Sequence, residues 1–182
     1  MKHDTKTPFF GRRKGRPLSK AAKIRLDENL PSMLLPTGGH KPNSIFTHNP
    51  IRVFLEIGFG GGEHLALEAK RHPEHGFIGA EPFLNGVSSL LGHCERDDIS
   101  NIMVWPDDVR LRFQDWPDQC FSGVFIMFPD PWPKPRHMHR RIINPDNLDQ
   151  IARLLKPGGS LRMASDHPIA KSWILSGVLN DP

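Results

Sequence analysis

From residue 51 onward, short apolar runs alternate with stretches of helical period. The run RVFLEI over 52–57 is compact and apolar, as in a strand buried on both faces, and glycines at 58, 60, 61 and 62 break it sharply. Residues 63–71 follow with Leu65, Leu67 and Ala69 in a helical stretch that stops before His72 and Pro73. The same reading predicts strands over 77–81, 101–105, 123–128 and 160–164, with helices over 84–96 and 144–155. In the last helix Ile151, Leu154 and Leu155 share a face, and the KPGG sequence at 156–159 is expected to end it. Strands and helices alternating at this spacing predict a doubly wound, mainly parallel α/β sheet. The first fifty residues carry prolines at 8, 17, 31, 36, 42 and 50 and leave room for one short helix near 19–30. The chain therefore divides into an arm over 1–48, expected to be poorly ordered, and a folded domain over 49–182.

Composition narrows the class. A chain of 182 residues, 37% of them hydrophobic, suits one globular domain. No run reaches the 18 or so apolar residues of a membrane span, and the basic N-terminus has no apolar stretch behind it, against a secretory signal. Cys94 and Cys120 are far apart and lack metal-ligand spacing, which suits a reducing compartment and a soluble cytoplasmic protein. The formal charge of +4 is uneven: residues 1–28 hold nine Lys/Arg against three Asp/Glu, and the remainder is mildly acidic. A basic arm on such a body fits either a polyanionic partner or a solvated tail.

Four places carry candidate chemistry. The first is LEIGFGGGE over 55–63, a strand running into a glycine loop that lets a ligand approach the backbone. A dinucleotide fingerprint counted from Gly58 would need glycine at 63, where Glu63 stands, so a pyrophosphate ligand is disfavoured. The second is Glu81 at the end of the second strand, a carboxylate suited to ribose hydroxyls. The third is the pair Asp107 and Asp108 after the third strand, which could accept an adenine amine or simply cap a turn. The fourth is FPDPWPKPRHMHRR over 128–141. Its prolines pre-shape a loop beginning with Asp130 and Trp132, and Lys134, Arg136, His137, His139, Arg140 and Arg141 follow with no acid among them. Cations for phosphate beside an aromatic and a carboxylate for a base make a nucleic-acid active-site mouth; a metal at these histidines is disfavoured by the arginines around them.

The FPDPWPK element at 128–134, with Arg136, His137, Arg140 and Arg141, resembles the signature of the tRNA (guanine-N7)-methyltransferases. LEIGFG at 55–60, Gly79 to Glu81, Asn101-Ile102 and LKPGG at 155–159 fall in the family's order, so the resemblance spans roughly 50–170. It implies a Rossmann-like class I methyltransferase fold that uses S-adenosylmethionine (AdoMet) to methylate N7 of a guanine in the tRNA variable loop. By position it implies cofactor contacts at Glu56, Gly58, Gly60, Glu81, Asp108 and Asp130, with Asp130 also catalytic. It places substrate binding at Lys134, Arg136, His137, Arg140, Arg141 and Asp166, with tRNA as partner, no metal and no membrane. Asp108 is preferred over Asp107 because it stands seven residues after Asn101. The family's pattern continues into a final hairpin with a T-x-x-E substrate motif that these residues do not contain, so the domain is expected to be C-terminally truncated, either as a fragment or as a shortened member. An exocyclic-amine methyltransferase, a non-catalytic RNA-binding scaffold and, distantly, a nicotinamide dehydrogenase are the competing readings. Monomer and homodimer stay equally open.

Overall fold

The computed structural model describes residue 11, residue 13 and residues 15–179, the last two by backbone alone. Five strands form one sheet: β1 (Val53–Ile57), β2 (Gly76–Ala80), β3 (Ile102–Trp105), β4 (Phe121–Met127) and β5 (Leu155–Ala164). Their order is β3-β2-β1-β4-β5, and every neighbouring pair is parallel. β2 is buried along its whole length and β1 almost so, as central strands covered on both faces must be.

Alternation along β1 splits the core in two. Leu55 and Ile57 face one cluster, with Ile78, Val124, Ile126, Trp116 and Phe121. The apolar face of α5 (Pro145–Leu154), through Leu148, Ile151 and Leu154, seals that side. On the other face Phe54 stacks between Phe77 and Phe125, at 5.5 and 5.7 Å. That side is covered by α3 (Glu63–Arg71) and α4 (Leu84–Asp97), through Leu65, Leu90 and Leu91. The start of α5 is set locally: Pro145 opens the helix and the Asn144 side chain accepts the Asn147 N–H at 3.0 Å.

Two sequence expectations change. The KPGG stretch was expected to end a helix and precede the strand, but α5 stops at Leu154 and β5 begins at once with Leu155, which pairs with Phe121. Gly158 at φ +75 and a register shift between Phe121 and Gly123 let the strand absorb the turn-like sequence as an irregularity. The described part of the arm, expected to be poorly ordered, packs on the body, and its first helix falls in the stretch near 19–30 where the prolines left room for one. The Ser19 hydroxyl caps α1 (Lys20–Glu28) by accepting the Ala22 N–H, and Arg25 pairs with Glu95 of α4 at 3.0 Å. A short α2 (Leu30–Met33) follows; Leu35 then donates its N–H to the Val104 carbonyl, and Phe46 enters the core. The first ten residues lie outside those described.

A last helix, α6 (Pro168–Leu179), was not predicted. No helix among the described residues is long and apolar enough to cross a membrane. Burial pushes the Cys94 and Cys120 thiols up to about 11 and about 12, so neither is a nucleophile near neutral pH.

Candidate active site at the switch point of the sheet

The chain leaves β1 toward β2 and β3, then crosses back to place β4 on the opposite side of β1. The loops after β1 and β4 therefore diverge, and a crevice opens above the carboxyl ends of the strands. A cavity of about 470 Å³ occupies it, within the range of small-molecule sites. Its wall includes Gly58 and Gly60 after β1, Glu81 and Phe83 after β2, Asp108 and Arg110 after β3, and Phe128, Asp130, Trp132 and Arg140 after β4.

Gly58 and Gly60 have φ of +71 and +56, the left-handed region where glycine alone is unstrained, so the loop curls back under the cavity. Its floor is α4: a Cβ on Gly86 would run into the Gly60 carbonyl oxygen. Glu81 ties the pieces together, accepting the Gly60 N–H at 2.8 Å on Oε2 and the Phe83 N–H at 2.9 Å on Oε1. Burial pushes its carboxyl above the ordinary value, the two N–H donors oppose this, and the charge of Asp130 adds to the rise.

Asp108 reaches the cavity with its carboxylate already engaged. It accepts the Arg110 N–H at 2.9 Å and the Arg110 Nε at 3.0 Å, capping a short 3-10 turn over Val109–Leu111. The side chain thus caps a turn and also lines the cavity. Arg110 was missed by sequence reasoning; its position two residues beyond Asp108 was the available signal. Asp107 pairs instead with Arg13 at 2.8 Å. Asn85 holds the same stretch of the arm through the Gly15 N–H and the Arg16 carbonyl, both at 3.0 Å, so Gly11 reaches the cavity rim.

Glu56 is not on the cavity wall. It is 1% exposed, on the face of β1 that packs under α3, and its Oε2 lies 2.7 Å from His64 Nδ1. That hydrogen bond holds the His64 imidazole above its ordinary value, against the effect of burial. The carboxylate expected to contact the cofactor is bound in this structure to the first turn of α3.

The loop after β4 is strained where the sequence suggested pre-shaping. Phe128 and Trp132 have φ of +52 and +37, and Phe128 is 62% exposed. Arg140 lies over the Trp132 ring at 5.1 Å, and His137 meets its edge at 5.7 Å. Desolvation and the neighbouring cations hold His137 below the ordinary imidazole value, so it is uncharged near neutral pH. Lys134, Arg136 and His139 are exposed. Arg141 is not: it is 8% exposed, donates to the Trp132 carbonyl at 3.0 Å and lies over Trp173 at 5.1 Å. Expected at the RNA, it serves in this structure as a strut beneath the loop. Asp166 is exposed on the same edge of the sheet, two residues beyond Ala164, which pairs with Met127.

Residues 50–182 match a family described as putative methyltransferase. The tRNA (guanine-N(7)-)-methyltransferase of Rhodospirillum rubrum is 45% identical, over 96% of this chain and 71% of the relative. The protein of that name from Caulobacter vibrioides is 46% identical, over 95% and 76%. Among solved structures, the 16S rRNA (adenine(1408)-N(1))-methyltransferase from Catenulisporales acidiphilia superposes with a TM-score of 0.55 at 15% identity, over 82% of this chain and 76% of that one. At that identity the likeness concerns the fold, and it agrees with the sheet order above. With relatives this similar over nearly its whole length, the chain belongs to the tRNA (guanine-N(7)-)-methyltransferase family.

Proposed function

We propose that this chain transfers a methyl group from AdoMet to N7 of a guanine in tRNA, in the variable loop, as a cytoplasmic enzyme. The carrying observation is that the diverging loops bring Glu81, Asp108 and Asp130 onto one cavity beside the cation-rich loop that ends in Arg140. The residues fit a cationic nucleoside. Carboxylates at Glu81 and Asp130 favour a positive centre, and Ile57, Val109 and Ile142 offer apolar surface to a flat ring. The same cavity suits a dinucleotide poorly, because Glu63 in the first turn of α3 sets a negative charge where a pyrophosphate would bind.

When bound, the cofactor supplies an electrophilic methyl carbon that the guanine N7 lone pair takes without prior loss of a proton. No side chain therefore has to act as a base. Glu81 holds the glycine loop in shape and offers its remaining lone pairs to ribose hydroxyls. Asp108 turns a carboxylate edge toward an exocyclic amine. Asp130, on the strained loop, stands where it can meet the Watson–Crick edge of guanine and lie beside the positive charge of the methylated base. Lys134, Arg136 and His139 face solvent and hold phosphate, and Arg140 keeps Trp132 oriented for a base to stack on. Alignment is the main contribution, and proximity effects of this kind are worth up to about 7–11 kcal/mol.

The test is mass spectrometry of nucleosides from tRNA incubated with the protein and labelled AdoMet. Labelled 7-methylguanosine supports the proposal. A labelled exocyclic amine, or no labelled nucleoside from a chain that binds AdoMet, would overturn it.

A further inference from the structure

The turn between α3 and β2 lies at the amino edge of the sheet, at the opposite end of β2 from Glu81. Here His72, Glu74 and His75 each offer one ligand atom, and the three atoms lie within 4.8 Å of one another. Glu74 Oε1 is 3.4 Å from His72 Nδ1 and 3.4 Å from His75 Nε2, too long for strong hydrogen bonds. Ligands set tetrahedrally about 2.1 Å from a zinc ion stand about 3.4 Å apart, so two edges of such a polyhedron already have the required spacing.

The turn is held rigid from beneath. The Asn101 amide donates to the carbonyls of Ala69, His72 and His75, each at 3.0 Å. The His75 N–H donates to the His72 carbonyl at 3.0 Å, the Ile51 N–H to that of Glu74 at 3.1 Å, and His48 Nε2 lies 3.2 Å from the His75 carbonyl. The rings of His72 and His75 stack at 5.3 Å and 18°. Ligands ordered in advance cost little entropy when an ion arrives.

We propose that His72, Glu74 and His75 form a binding site for a divalent transition-metal ion of the zinc class, with water completing the coordination. Two imidazoles and a carboxylate suit zinc, nickel or copper and disfavour magnesium and calcium, which prefer oxygen ligands. His75 Nδ1 is buried, which makes Nε2 the ring atom an ion can reach. The site clips the end of α3 to the start of β2. It is a stabilising site, separate from methyl transfer. His137 and His139 are the contrasting case, since Lys134, Arg136 and Arg140 around them repel a cation.

The experiment is calorimetric titration of zinc chloride into the full chain freed of any histidine tag, with thermal melts alongside. The native protein is expected to bind one equivalent and to melt at higher temperature with zinc. The double variant His72→Ala/His75→Ala should bind roughly tenfold more weakly or worse and lose the zinc-dependent rise. His137→Ala/His139→Ala should keep both, magnesium should give neither, and far-ultraviolet circular dichroism checks that each variant folds. Unchanged affinity in the folded His72→Ala/His75→Ala variant, loss of the equivalent in His137→Ala/His139→Ala, or no zinc binding by the native chain would each overturn the site.

Discussion

Oε2 of Glu81 accepts the backbone N–H of Gly60 at 2.8 Å, joining the end of β2 to the glycine loop after β1. Its second oxygen takes the Phe83 N–H at 2.9 Å, so one carboxylate fixes the loop, the strand end and the entry to α4. Glutamine is nearly isosteric but turns one of these acceptors into a donor facing an N–H. Glu81→Gln is expected to fold, to raise the KM for AdoMet by about tenfold or more, and to change the KM for tRNA much less. Steady-state kinetics with each substrate varied in turn checks this; an unchanged AdoMet KM would remove Glu81 from the cofactor site.

Glu81 and Asp108 are proposed to hold the cofactor, and Asp130 is proposed to serve the reaction as well. Asp130→Ala should therefore lower kcat by about a hundredfold or more, since alignment losses of this size follow from small displacements. It should leave the melting temperature close to native, because the side chain is exposed. Single-turnover methylation with saturating substrates gives the comparison.

The Asp108–Arg110 pair allows a test of which partner binds. If the carboxylate carries the adenine contact, Asp108→Ala raises the KM for AdoMet about tenfold, and Arg110→Ala changes it by no more than about threefold. The reverse pattern in equilibrium binding of AdoMet would assign the contact to the arginine.

Two neighbouring arginines should separate stability from recognition. Arg141 is buried against the Trp132 carbonyl and the Trp173 ring, so Arg141→Ala should cost about 2 kcal/mol of stability. Arg136 is exposed, so Arg136→Ala should leave stability unchanged, weaken tRNA binding and reduce its salt dependence by about one counterion. Chemical denaturation and binding titrations at several salt concentrations measure the two effects.

The Glu56–His64 hydrogen bond sets a pH dependence. The folded-state pKa of His64 is raised above 6.5, mainly by that hydrogen bond. Its contribution to stability is complete below the unfolded value and is lost as pH rises through the folded value. Relative to His64→Gln, the native protein should be most favoured near pH 5.5, with the gap narrowing from about pH 6.5 upward. Urea denaturation of both proteins across that range reads it directly, and a gap that widens with pH would contradict the assignment.

Some of this was legible from local pattern alone. The helix over 63–71 and four of the five strands were foreseen to within a few residues, because apolar period and glycine breaks are properties of neighbouring positions. β5 was misplaced at its start because LKPGG carries turn chemistry, and only pairing with β4 makes it a strand. Arg141 stood in the same basic run as Arg136, and no feature of the run distinguishes a buried strut from an exposed cation.

By itself the sequence determined the fold class, the glycine loop, the acidic strand ends and the family, since each depends on residue type and spacing along the chain. Tertiary structure decided which carboxylates share the cavity, that Glu56 turns away to His64, that the arm docks on α4, and that His72, Glu74 and His75 converge. The first three depend on strand order, register and side-chain direction, where a shift of one residue reverses the face a side chain occupies, and the last on how Asn101 holds the turn.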